Sequence, residues 1–266
     1  MGARVAVLLR LGSVGRRVLP FDEPIDLADV GVQGDVFDAD RGHALRLAPK
    51  LPDVRGRDVL ELGCGYGGML SVLAESGARA FGIDVDERRV LRARERGLEA
   101  TVADAEALPY PDESFDLVVS HAVLEHIPRI GVALAEVRRV LRPGGVFWSV
   151  WGPSWLSYNG PHLIKCLGVP WVQLVFSDRT ILAALERQKR EGVFPASYID
   201  YKIEDFQTMG RTSRRTLRRA AREAGLEVVE ESSRSSRRWK NVLGRLPVFG
   251  ELLPGELTAV LRRPDA

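Results

Sequence analysis

The chain has 266 residues, 45% of them hydrophobic and 28% charged, with a net charge of +2. This balance supplies enough apolar mass for a proper core and excludes both a polyanion-seeking basic protein and an acidic disordered one. Two cysteines, Cys64 and Cys166, are too few for a disulfide framework and show no zinc spacing, so the cytoplasm is the expected compartment and no metal site is expected.

Residues 1–55 carry no clear period and are punctuated by Pro20, Pro24, Pro49 and Pro52; a short helix is expected over residues 40–51. The apolar run from Val5 to Leu9 is cut by Arg10 and is too short for a signal or a membrane span. Met1-Gly2 begins like a myristoylation signal, but Ala6 stands where Ser or Thr is required. Arg10, Arg16 and Arg17 beside apolar residues leave peripheral membrane contact open.

A regular alternation follows. Strands are expected at residues 58–62, 80–83, 98–102, 115–120 and 145–150, with helices at 67–75, 86–96 and 132–141 between them. Such an alternation predicts a parallel sheet covered on both faces, with a ligand at the carboxyl ends of its strands where the strand order reverses. From Trp151 to about Pro195 the rhythm breaks into an aromatic, apolar stretch, read as an insertion. It returns with a helix at 213–224, whose Leu217, Ala220, Ala221 and Ala224 have helical spacing, and with strands at 226–231 and 257–261. A short helix is expected within 243–253. The division is therefore an N-terminal lid segment (1–55), a core (56–151), an acceptor-pocket insertion (152–195) and a C-terminal part of the same domain (196–266).

Gly63, Gly65 and Gly68 satisfy the GxGxxG pattern of dinucleotide sites, and Asp84 lies at the distance where an acid meets a ribose. Two features argue for a different ligand. Glu61 sits at the strand end, where a carboxylate would oppose a diphosphate but suits a phosphate-free ligand with a cationic sulfonium. Asp104 then adds a third acid at a third strand end. Cys64 between the glycines reads as a small space-filler rather than a nucleophile.

Six segments carry a family resemblance: Val59-Leu60-Glu61-Leu62-Gly63-Cys64-Gly65-Tyr66-Gly67, Gly82-Ile83-Asp84, Ala103-Asp104-Ala105-Glu106-Ala107-Leu108-Pro109, Phe115-Asp116-Leu117-Val118-Val119-Ser120, Val123-Leu124-Glu125-His126 and Arg139-Val140-Leu141-Arg142-Pro143-Gly144-Gly145. Together they resemble the class I S-adenosylmethionine (SAM)-dependent methyltransferases, most of all the branch with the ubiquinone and menaquinone biosynthesis enzymes. The resemblance is dense over residues 56–150 and loose over the last two strands. It implies an α/β, Rossmann-like seven-stranded sheet with helices on both faces, its last strand antiparallel beside the fifth. It also implies SAM as cofactor, with Glu61 at the methionine amino end, Gly63, Gly65 and Gly67 allowing backbone approach, Asp84 at the ribose, Val85 also among the cofactor-binding residues, Asp104 and Ala105 at the adenine edge, and His121 near the methionine moiety.

Methyl transfer to oxygen also needs a base, and the chain has four histidines. His162, in the aromatic insertion, is the first candidate, followed by His121 and by His43 on the lid helix. His126 suits a structural or cofactor-side role. The Arg-rich helix with Arg211, Arg214, Arg215, Arg218, Arg219 and Arg222 reads as a solvated face before an anion-binding patch, so a nucleic-acid partner is disfavoured. The expected activity is O-methylation of a small-molecule, lipid or glycan-type acceptor. Its rivals are a SAM-binding module without turnover, a nucleic-acid or other N- or C-methyltransferase, and an NAD oxidoreductase.

Overall fold

The computed structural model describes residues 1–18, 36–234, 249–253 and 255–265. Its centre is β1 (Asp58–Leu62), in which every residue after Asp58 is buried, as befits a strand flanked on both edges and covered on both faces. The chain continues through α3 (Gly68–Glu75), β2 (Arg79–Asp84), α4 (Glu87–Glu95), β3 (Ala100–Val102), β4 (Phe115–His121), α5 (Ile130–Val140) and β5 (Leu141–Trp151). Before them lie α1 (Gly2–Val18) and α2 (Val36–Leu47). After them come α6 (Ile164–Leu167), α7 (Val172–Val175), α8 (Asp178–Arg190), α9 (Ala196–Thr208), α10 (Arg214–Glu223), β6 (Glu227–Arg234), α11 (Phe249–Leu252) and β7 (Glu256–Arg262).

The strands form one seven-stranded sheet in the order β3-β2-β1-β4-β5-β7-β6. The first five are parallel, and β7 runs antiparallel between β5 and β6. Strand order reverses between β1 and β4, so the carboxyl ends of this pair border the crevice such sheets use for ligands. Alternation along the strands separates two cores. Leu60, Leu62, Val118 and Phe147 face one side with α5 and α10, whereas Val59, Leu117, Val119 and Trp148 face the other with α2 and α3.

A third core lies outside the sheet. Val5 and Leu8 of α1 pack with Leu163, Leu167, Ile181, Leu185, Tyr198, Ile199 and Phe206 of α6, α8 and α9 and their approaches, making a helical cap. The aromatic residues of the insertion divide between the two regions: Trp151 belongs to the main core, while Trp155 and Phe176 pack against the cap, with Trp155 stacked 6.1 Å from Phe206. Cap helices thus continue through α9 to Thr208, beyond residue 195. The helix expected within 243–253 appears as α11; residues 243–248 lie outside the described residues.

The arginine-rich helix is largely self-neutralised. Arg214 and Arg218 both meet Glu231 of β6, Arg219 meets Glu223 at 3.3 Å, and Arg211 meets Asp178 while lying 5.0 Å over the Trp155 ring. Ser213 and Thr216 close a reciprocal cap at its N-terminus.

The joint between cap and core is close-fitting at Gly210, just after α9. Its N–H donates to the Glu125 carbonyl at 2.7 Å, and a Cβ there would stand 1.9 Å from the carbonyl oxygen of Ile127. Gly210→Ala therefore destabilises the protein by about 2 kcal/mol or more. Gly42, inside α2, has only the tip of Arg46 near its missing Cβ, at 3.9 Å. Gly42→Ala raises stability by about 0.5–1 kcal/mol. Thermal or urea melts of the two variants check both signs.

Candidate cofactor and acceptor site

The turn after β1 is pinned from several sides. Cys64 N–H donates to the Ile83 carbonyl at 2.8 Å, and Gly65 N–H donates to Asp84 Oδ2 at 2.9 Å. Gly63 and Gly65 both have positive φ, at 66° and 51°. A Cβ on Gly63 would strike Val123 at 2.4 Å, whereas one on Gly65 would meet nothing within 4 Å. Gly65 thus presents bare backbone to open space, the condition for close ligand approach. Cys64 fills the gap beside Gly82, and burial, reinforced by Glu61 and Asp84, pushes its thiol upward; it packs rather than reacts.

Glu61 is 3% exposed, and its Oε2 has no hydrogen-bond partner among the described residues. Burial, then the nearby Asp40 and Asp84, hold its carboxyl well above the usual range against a single backbone bond from Leu70. Asp40 comes from α2, where its Oδ2 accepts from Gly68 N–H at 3.0 Å and caps α3. Burial raises its pKa as well. Sequence reasoning missed Asp40; the signal was its position one helical turn before His43, on the same face of the helix.

Asp84 is also buried, accepting from Asp86 N–H at 2.9 Å through Oδ1. Val85 beside it is 71% exposed, an apolar side chain left open at the strand end. Ala103 N–H donates to the Asp84 carbonyl at 3.1 Å and so joins the β2 and β3 ends. Asp104 follows, exposed, with Oδ1 accepting from Glu106 N–H at 2.9 Å, and Ala105 is buried beneath it. Glu61, Asp84 and Asp104 thus stand at or just beyond three adjacent strand ends.

At the carboxyl ends of β4 and β5 a cavity of about 270 Å³ is lined by His43, His121, Trp151, Pro153, Tyr158 and Glu256, among others. The His43 and His121 rings are 6.0 Å apart. Burial, then the proximity of His43, lowers the His121 pKa below 6.5, so His121 is neutral near pH 7 and able to accept a proton.

His162 does not line this cavity. It belongs to a buried charged cluster between core and cap: its Nδ1 lies 3.6 Å from Asp205 Oδ2, Lys202 Nζ is 3.5 Å from the same oxygen, and His126 Nδ1 is 3.5 Å from Oδ1. Burial opposes ionisation of Asp205, yet His162, Lys202 and His126 together hold its carboxyl below the usual range. Glu125 is buried as well, accepts from Gly152 N–H at 3.2 Å, and is pushed up to about 7, chiefly by burial. Both Glu125 Oε2 and His162 Nε2 lack partners among the described residues. The loop joining the two places is self-bonded, with His162 N–H donating to the Asn159 carbonyl at 2.9 Å. Among the described residues no group of three His, Cys, Asp or Glu forms a metal-binding set.

Comparison with known proteins agrees with this layout. Residues 60–149 match the family model described as a methyltransferase domain. A fatty-acid O-methyltransferase of Mycolicibacterium smegmatis is 45% identical over 101 residues, which are 36% of this chain and 37% of that one. A phthiotriol/phenolphthiotriol dimycocerosates methyltransferase of Mycobacterium tuberculosis is 41% identical over 101 residues, 36% and 37% of the two chains. A 27-O-demethylrifamycin SV methyltransferase of Amycolatopsis mediterranei is 38% identical over 109 residues, 38% and 40%. The chain thus spans at most 40% of the length of these relatives. Among solved structures, an S-adenosylmethionine dependent methyltransferase from Mesorhizobium loti superposes with a TM-score of 0.55 at 21% identity, covering 85% of this chain and all (100%) of that one. The [4+2]-cyclase SpnF shares the fold with a TM-score of 0.54 at 20% identity, covering 86% and 82%. Residues 60–149 thus match a methyltransferase domain, and the seven-stranded sheet around them has the fold of the solved S-adenosylmethionine dependent methyltransferase.

Proposed function

We propose that this protein transfers a methyl group from SAM to an oxygen atom of a small-molecule or lipid acceptor. The observation that carries the reading is the buried, unpartnered Oε2 of Glu61 beside Asp84 and Asp40. Three carboxyl groups around a bare glycine turn are costly alone and repel a diphosphate, whereas a ligand bearing ammonium and sulfonium charges would relieve them. The residues therefore fit SAM and not NAD. When bound, SAM supplies an electrophilic methyl group on a positively charged sulfur.

In this reading Glu61 holds the amino group, Gly65 gives room along the turn while Gly63 and Gly67 let it pack against Val123 and Leu98, and Asp84 accepts from ribose hydroxyls. Val85 covers the base, and Asp104 with the Ala105 amide reads its edge. The acceptor occupies the cavity of His43, His121 and Tyr158, which Trp151 and Pro153 wall on its apolar side. His121, with His43 beside it, takes the hydroxyl proton. His162, anchored on Asp205, positions the 158–162 loop that walls the cavity. The relatives' names, a fatty-acid, a phthiotriol and a rifamycin methyltransferase, favour lipid or other small oxygen acceptors; a glycan-type acceptor is compatible with the same chemistry. Paired arginines on α10 offer little to a nucleic acid. Two buried free cysteines suit the reducing cytoplasm, where we place the protein.

The fold also occurs in a solved neighbour named as a [4+2]-cyclase, and the second reading is SAM binding without methyl transfer. Release of S-adenosylhomocysteine with a fatty-acid or hydroxylated acceptor separates the two.

Two predictions follow from the carboxylates and imidazoles. Because Glu61 holds a proton more firmly than an ordinary carboxyl and must lose it to meet an ammonium, SAM binding releases protons and strengthens as pH rises toward neutrality. Calorimetry in buffers of different ionisation enthalpy reads this directly. Glu61→Gln removes the proton release and weakens SAM about 10- to 100-fold. Asp84→Ala and Gly65→Val abolish binding in a folded domain, and NAD is inert throughout. For the acceptor step, turnover is level around neutral pH and falls on acidification as His121 protonates, at a lower pH than an ordinary imidazole would. His121→Ala lowers turnover by about two to four orders of magnitude and erases the acid limb of the pH–rate profile, with SAM affinity much less affected.

A further inference from the structure

Helix α1 contributes to the cap on one side only. Val5 and Leu8 are buried at 6% and 0% exposure, while Ala3, Arg4, Val7, Arg10 and Leu11 are exposed. These five recur at the spacing of one helical stripe. Val7 and Leu11 are half-exposed, at 51% and 50%, and Arg4 and Arg10 flank them. Across its seventeen residues α1 has four arginines, Arg4, Arg10, Arg16 and Arg17, and no acidic residue. A second exposed apolar pair, Leu174 and Val175 on α7, lies on the same cap, since both α1 and α7 pack against α8.

We propose that the outer face of α1 docks the cap on an anionic lipid surface. The stripe has the chemistry of an interfacial helix: Val7 and Leu11 enter the headgroup boundary, while Arg4 and Arg10 lie along it and pair with lipid phosphates. Among the described residues no helix is long and apolar enough to cross a membrane, so this contact is peripheral. Charge decides between a bilayer and a second copy of the chain. Two α1 faces meeting about a twofold axis would set arginine against arginine, and one helical stripe falls short of the roughly 1,000 Å² a stable interface needs. The role assigned to this contact rests on the lipid-acceptor reading: the cap beside the candidate acceptor cavity would sit on the phase that holds a lipid acceptor. The docking itself is tested without any turnover.

The experiment is co-sedimentation of the full chain with phosphatidylglycerol/phosphatidylcholine vesicles and with phosphatidylcholine vesicles, at low and high salt. SAM affinity and the melting midpoint are measured on the same preparations. The chain is expected to sediment with the anionic vesicles, to be released by high salt, and to bind neutral vesicles weakly. Val7→Glu/Leu11→Glu and Arg4→Glu/Arg10→Glu each reduce vesicle binding about tenfold or more while leaving SAM affinity and melting unchanged. Binding to anionic vesicles that both double variants retain would overturn the assignment, as would no binding at all. A salt-insensitive dimer dissociated by Val7→Glu/Leu11→Glu, without vesicle binding, would give the face to a second copy and overturn it too. Loss of SAM binding in the parent chain would instead count against the methyltransferase reading, so the two failures are distinct.

Discussion

A carboxyl group that the fold buries without a cationic partner is the constraint on which the site depends. Glu61 closes the central strand of the sheet, where both neighbouring strands and both covering layers withhold water from it. Asp84 and Asp40 add charge of the same sign. Such an arrangement costs stability in the free protein and is retained where a cationic ligand recovers the cost. The glycine turn, the cap that Asp40 places on α3 and the bond from Gly65 N–H to Asp84 then follow as supports. They keep the backbone open and the carboxylates fixed in the absence of ligand.

Strand order converts that local chemistry into a reaction site. Because the sheet reverses direction of growth between β1 and β4, the acids proposed to hold the donor cluster over β1, β2 and β3, while the imidazole of His121 emerges from β4 on the other side of the same boundary. β7, inserted antiparallel, brings Glu256 to the carboxyl end of β5 and closes the cavity there. Helix α2 spans both halves, placing Asp40 over the glycine turn and His43 over the cavity. The charged cluster of Glu125, His126, His162, Lys202 and Asp205 ties the cap to the segment after β4. Breaking such a buried set by removing one partner leaves the others uncompensated, which makes it a strong joint but a rigid one.

The core sheet was legible because its strands are short buried runs punctuated by glycine, and each falls within a few residues of its expected place. The start of β5 was hidden: Leu141 already pairs with Phe115, ahead of a register shift and before the Pro143 turn that conceals it in sequence. Helix α1 was missed because Val7 and Leu11 on its outer face blur the period set by Val5 and Leu8 on its inner one. Helix α9 was missed for the opposite reason. Its buried positions 198, 199, 202, 205 and 206 have good helical spacing, but two of them are Lys202 and Asp205, which a hydrophobic pattern does not count. The site divides likewise. Glu61, Gly65, Asp84 and Asp104 lie within one contiguous run of α/β units and could be read in order. The pairing of His162 with Asp205, and of Asp40 with Gly68, joins residues far apart in the chain and exists only through packing.

The central claim is that Glu61 is the carboxylate that receives the amino group of the methyl donor. A crystal structure with S-adenosylhomocysteine tests it most directly. The account predicts the ligand's ammonium within about 3 Å of Glu61 Oε2, its ribose hydroxyls on Asp84 and its sulfur facing the cavity of His43 and His121. A bound ligand whose amino group lies away from Glu61, or one seated elsewhere in the chain, would contradict it.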